Sequence, residues 1–266
     1  MTRKPNLHNT SQRSLKGPEL VHRFVKTVND ITPARYFVRA KQHQNASIDR
    51  LYELQEYTVE TKNELSSNGN PNDANLLLSI EYMVGALIGE LEMIVSLKEN
   101  RPNDAWEHLL ASRNSAEAAA RAHQVAEKMN VEPFLDRLDA YEHLLFPSIQ
   151  FVSPAFDVGS MICSICGEEY SSCAHIKGRA YSGEMCSVEL RDIQGFDHLA
   201  LVDEPYSKAH RLTQTASGKD LMTLLPPEEC NQEDSIVPSS EEDERPSIDN
   251  EERPTVDSEL ETLDKE

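Results

Sequence analysis

The chain has 266 residues, a formal net charge of −20 and 38% hydrophobic residues, a lower apolar share than most compact soluble domains carry. The charge is uneven: from residue 227 to 266, sixteen Asp and Glu stand against three Lys and Arg. Such a balance excludes a chain that coats nucleic acid or anionic lipid through distributed Lys and Arg, while leaving room for a local basic patch.

Residues 1–17, beginning MTRKPNLHNTSQRSLKG, are polar, lack the apolar core of a secretion signal and are expected to be disordered. From Pro18 the pattern turns helical. Leu20, Val21, Phe24, Val25 and Val28 recur at three- and four-residue steps, which marks one buried face. Thr32 followed by Pro33 has the chemistry of an N-cap and first helical residue, so a second helix is expected to start there. Its apolar positions Tyr36, Phe37 and Ala40 resume at Ile48, Leu51, Tyr52 and Leu54. The polar interval KQHQNAS between them reads either as a break or as a solvated face.

The cluster SSNGNPND, residues 66–73, reads as a loop. A strongly apolar helix is expected over about Ala74–Leu97. Its run YMVGALIG is too short to span a bilayer and suits a buried helix. Pro102 should end it, with Asn103 or Asp104 capping the next helix, which carries Trp106, Leu109, Leu110 and an Ala-rich stretch through residue 129. A further helix over about Pro133–Leu145 stops before Pro147. Residues 18–146 therefore read as about five helices in an antiparallel bundle.

After Pro147 the texture becomes β-branched and aromatic, with Pro154 and Gly159 as punctuation. HLALVDEP reads as a short strand, and GRAYSGEMCSVELRDI as one or two more. Residues 147–215 are expected to form a small β-rich module, and residues 216–266 a disordered acidic linker and tail. The whole is an α+β chain: a helical bundle, then a metal-stapled β-rich module, then the tail.

The chemistry gathers in CSICGEEYSSCAH, where Cys163, Cys166, Cys173 and His175 form the pattern Cys-x2-Cys-x6-Cys-x-His. Two cysteines separated by two residues present both thiolates to one metal from a single turn, and Gly167 supplies the positive φ that such a turn needs. Three thiolates and an imidazole close a tetrahedral set, which fits one structural zinc per chain. A catalytic zinc keeps an open position, and the His-x-Glu and Pro-Cys-x-x-Cys pairing of deaminases is absent. Cys186 is a spare thiol, either an alternative fourth ligand in place of Cys173 or His175, or a small buried apolar residue. Cys230 lies in the acidic tail. An odd count of five cysteines, four of them clustered, suggests metal binding in a reducing compartment, so the protein is expected in the cytoplasm and outside the membrane.

The series Cys163, Cys166, Gly167, Tyr170, Cys173, His175, Gly178, Tyr181, Gly183, then Val202, Asp203, Pro205 and Ala209, resembles a module of some tailed-phage head-assembly proteins related to the prohead proteases. The resemblance covers about residues 160–210. It implies a zinc-stapled β module and an origin in a mobile element. It carries over no protease chemistry, because no catalytic residue of that family has a counterpart in this chain.

No Gly-x-Ser-x-Gly elbow or phosphate-binding Gly-rich loop occurs in the sequence. His108, His123 and His143 lack metalloprotease spacing, and Asp139, Glu142 and His143 read as a solvated helix face. The leading expectation is a non-catalytic zinc-binding protein that engages a protein partner. The alternatives are a phage-assembly-type hydrolase, or a nucleic-acid binder using Lys177, Arg179 and Tyr181 beside the metal.

Overall fold

In a computed structural model, the structure describes residues 17–36, 38–146 and 150–214. The expected disordered ends, with Cys230, lie outside the described residues, apart from Gly17. Six helices come first: α1 (Gly17–Tyr36), α2 (Lys41–Ser67), α3 (Pro71–Lys98), α4 (Pro102–Ala122), the single turn α5 (Val125–Lys128) and α6 (Val131–Leu145). Four strands follow: β1 (Phe151–Cys163), β2 (Ala180–Tyr181), β3 (Glu184–Met185) and β4 (Val188–Val202). The α+β reading, helices first and strands after, matches this order.

α3 is the hub of the bundle. Leu77, Ile80, Val84, Leu87 and Leu91 are at most 1% exposed, and α2 and α4 pack along its sides. Gly89 permits the closest approach: a Cβ there would meet Ser112 Cβ at 2.9 Å. Ser112 itself donates to the Ala86 carbonyl at 2.7 Å, so small residues bring α3 and α4 into backbone contact. One residue on in α3, Glu90 is fully buried and held by Arg35 of α1 at 2.7 Å and Arg137 of α6 at 2.8 Å. This triad ties three helices through one carboxylate, and no pattern in the sequence announces it.

Several expected boundaries are corrected. Thr32 and Pro33 do not start a helix. They lie inside α1, where Thr32 donates back to the Val28 carbonyl at 2.7 Å, so the hydroxyl serves the turn that the proline interrupts. The interval KQHQNAS is helical and partly inward-facing. Gln44 is 1% exposed and donates to the carbonyls of Ala34 and Val38, sealing the end of α1. Pro102 begins α4 rather than merely ending α3, with no side-chain cap from Asn103 or Asp104; a proline at the first helical position gives up no hydrogen bond. The Ala-rich helix breaks at His123, whose extended backbone lets its Nδ1 accept from the Val125 N–H at 3.1 Å.

β1 and β4 form a long antiparallel ribbon, from the pair Phe151–Val202 to the pair Cys163–Val188. β4 joins the expected strand stretches SVELRDI and HLALV into one strand through QGFD, because two register shifts absorb the extra residues. The ribbon meets the helices at both ends. At its base Phe151 and Phe146 pack on Trp106, with ring centroids 6.3 Å and 5.2 Å away. At its far end lies the cysteine cluster.

Candidate metal centre

Cys163 closes β1, and the chain turns at once. The Gly167 N–H donates to the Cys163 carbonyl at 2.9 Å, and the Cys163 N–H to the Glu168 carbonyl at 2.9 Å. Gly167 has φ +73°, with open space where a Cβ would stand, so its role is conformational. Glu169 accepts from the Met161 N–H at 3.2 Å and pins the returning strand. A 3-10 turn, Tyr170–Ser172, then delivers Cys173.

The ligand atoms of Cys163, Cys166, Cys173 and His175 all lie within 4.8 Å of one another, and the four can hold a metal ion. The fit is supported by a polar atom without a mate: His175 Nδ1 is buried and has no hydrogen-bond partner among the described residues. A buried nitrogen left unpaired is costly, and a ligand removes that cost. The imidazole is held edge-on to Tyr181, centroids 4.7 Å apart at 89°. The Tyr181 hydroxyl in turn accepts from the Ile176 N–H at 3.0 Å. Tyr181 therefore positions His175.

Cys186 sits beside the group, 1% exposed, with its sulfur 3.8 Å from Cys163 Sγ. Backbone bonds knit it in: Gly178 N–H to the Cys186 carbonyl and Cys186 N–H to the Arg179 carbonyl, both 2.8 Å. Burial resists ionisation of Cys163, but the backbone N–H groups of Cys166 and Ile165 and the neighbouring thiols bring its pKa down to about 6. Burial pushes Cys186 the other way, to about 11, reinforced by the Cys163 charge. One thiol of the pair is thus prepared as a thiolate, and the other stays protonated. The four described cysteines are all free thiols.

The module is seated on the helices by the turn between β2 and β3. Gly183 has φ +86°, and its N–H donates to Asn75 Oδ1 at 2.8 Å. A Cβ there would lie 3.1 Å from Lys62 and 3.3 Å from Ala74, so glycine is required for both the turn and the approach. Asn75 also donates to the Ala180 carbonyl at 3.3 Å. This polar clamp on α3 was invisible in the sequence, since an Asn in a helix carries no signal of its partner.

The other candidate residues either have partners within the fold or stand on its surface. Lys177 bonds the Tyr206 hydroxyl at 2.6 Å, while Arg179 is exposed. His108 faces Glu92 at 3.1 Å, and His143 contacts the Asp139 carbonyl at 2.7 Å. Asp139 and Glu142 do not form a simple solvated face: both meet Arg113, and Glu142 also holds Lys208. Among the described residues, no helix is long and apolar enough to cross a membrane. No protein-family model, curated protein or solved structure matches the chain.

Proposed function

We propose that this chain is a non-catalytic interaction protein whose four-ligand centre, Cys163, Cys166, Cys173 and His175, takes one structural zinc. The observation that carries the reading is the lack of any other core. Between residues 152 and 214 the buried residues are Cys163, Gly183 and Cys186. Without a metal, those side chains leave the module almost nothing apolar to fold around. Three thiolates and an imidazole favour zinc over harder cations. A closed set leaves no position for substrate.

The bundle supplies a rigid body for a protein partner, and free thiols with a thiolate-ligated metal suit a reducing cytoplasm. The hydrolase reading finds little support. A groove along α2 offers carboxylates, Asp49, Glu53, Glu56 and Glu60, but no Ser, Cys or His. In a neighbouring cleft His108 is held by Glu92 at 3.1 Å, but Ser96 Oγ there has no hydrogen-bond partner among the described residues, so no activated nucleophile is formed. A relation to phage head-assembly proteins rests on the quoted residues between 160 and 210 alone.

Metal analysis of the purified chain tests the proposal, with Cys163→Ser, Cys173→Ser, His175→Ala and Cys186→Ser alongside. One zinc per chain, lost in the first three variants and kept in the fourth, is the expected result. A wild type without metal overturns it. So does a His175→Ala protein that stays folded and metal-loaded while Cys186→Ser loses its metal, which would make Cys186 the fourth ligand.

A further inference from the structure

The β1–β4 ribbon has a face that the fold leaves bare. Cross-strand partners share a face and alternate along each strand. By the observed register, Val152, Pro154, Phe156 and Val158 of β1 stand with Leu201, Leu199, Phe196 and Ile193 of β4. Phe151, which packs on Trp106, belongs to the opposite face. The stripe is open: Phe156 is 47% exposed, and Ile193, Phe196, Leu199 and Leu201 are 57–65% exposed. Phe156 and Phe196 stack edge to face at its middle, 5.8 Å apart. At its margins Glu189 pairs with Arg191 at 3.0 Å, and the Asp197 carboxylate lies 2.9 Å from the His198 ring.

We propose that this stripe is a self-association surface on which two copies of the chain pack their ribbons face to face about a two-fold axis. Three features favour a second copy. A two-stranded sheet has too little burial to be stable unless a further layer covers it, and a matching ribbon provides that layer at the ordinary spacing of a sandwich. The exposed apolar area amounts to roughly 600 Å² per chain, so a pair removes roughly 1,200 Å², at the threshold of a specific interface. The stripe is apolar along its centre, and a two-fold axis sets that same patch against its own copy, as an isologous interface requires. The surface goes beyond the metal centre and does not depend on which metal that centre takes.

The test is sedimentation velocity of the full chain up to roughly 100 µM, where even a weak micromolar dimer is populated. Wild type is compared with Phe196→Asp and Ile193→Lys on the stripe, and with Leu190→Asp on the opposite face. Fluorescence of Trp106 reports whether the ribbon base is still seated in each variant. A wild-type dimer, weakened at least roughly tenfold by each stripe variant and unchanged in Leu190→Asp, is the expected result. A wild type that stays monomeric overturns the proposal and gives the stripe to a different occupant. Association that continues past the dimer, or that survives both stripe variants with Trp106 unchanged, overturns it as well.

Discussion

The helical and β regions of this chain solve the same problem in opposite ways. From α1 to α6, side chains such as Leu77, Leu87, Leu109 and Leu138 vanish from solvent, and the core is continuous. Among the described residues from 152 to 214, large side chains are half-buried or bare, and two cysteines and a glycine alone are buried. The bundle is held by area removed from water, roughly 25 cal/mol per Å². The β region is held at points: a donor cluster at one end, Trp106 at the other, and one glycine turn on Asn75. Distributed burial tolerates the loss of any single contact, whereas point attachment does not.

The sharpest way to break the comparison is to strip the metal proposed for Cys163, Cys166, Cys173 and His175. A strong chelator should unfold the module around Cys163 and Cys173, since apparent zinc affinities for such sites are on the order of 10–16 kcal/mol. The helical circular dichroism should remain. Loss of helix in step with metal would show that the two regions are one cooperative unit.

The reverse experiment is Glu90→Ala, which leaves Arg35 and Arg137 facing each other without their shared carboxylate. Breaking such a buried group should cost about 3–5 kcal/mol, read by urea denaturation, while metal content at room temperature is unchanged.

Gly183→Ala probes the seat between the regions. A positive φ and contacts at 3.1 Å and 3.3 Å should together cost about 1–2 kcal/mol. Hydrogen exchange should rise at the β2–β3 turn, with the α3 core still protected. An unchanged exchange pattern would mean the module needs no docking.

The smallest effect concerns the metal-free protein under reductant. The fold draws Cys163 down to about 6, below an ordinary thiol near 8.5. Its ionised form gives the folded module stability that is complete above the ordinary value and disappears as pH falls through about 6. Once a chelator has unfolded the module, thiolate absorbance should show the cysteines titrating near the ordinary value; a group titrating near 6 would mean that the cluster keeps its fold without metal.

Much of this was legible from local chemistry. The helical stripes, the turn within residues 66–73 (which the structure narrows to residues 68–70, between α2 and α3), the shift of texture after Pro147 and the spacing of Cys163, Cys166, Cys173 and His175 are patterns of neighbours in the chain. Errors arose where a residue had two local uses. Thr32 and Pro33 make an N-cap signal equally well inside the last turns of a helix, and the polar letters around Gln44 hide an inward-facing amide. The break at His123 has no proline or glycine to mark it.

By itself, then, the sequence determined the order of helices and strands and the donor set, because periodicity and short ligand spacing act within a few residues. Only the tertiary structure decided that Glu90 gathers two arginines, that Tyr181 serves His175, that Asn75 clasps Gly183 and that Cys186 stands against Cys163. Each of these joins groups that are distant in the chain or across a turn. Their pairing depends on where whole elements come to rest, and residue spacing carries no record of that.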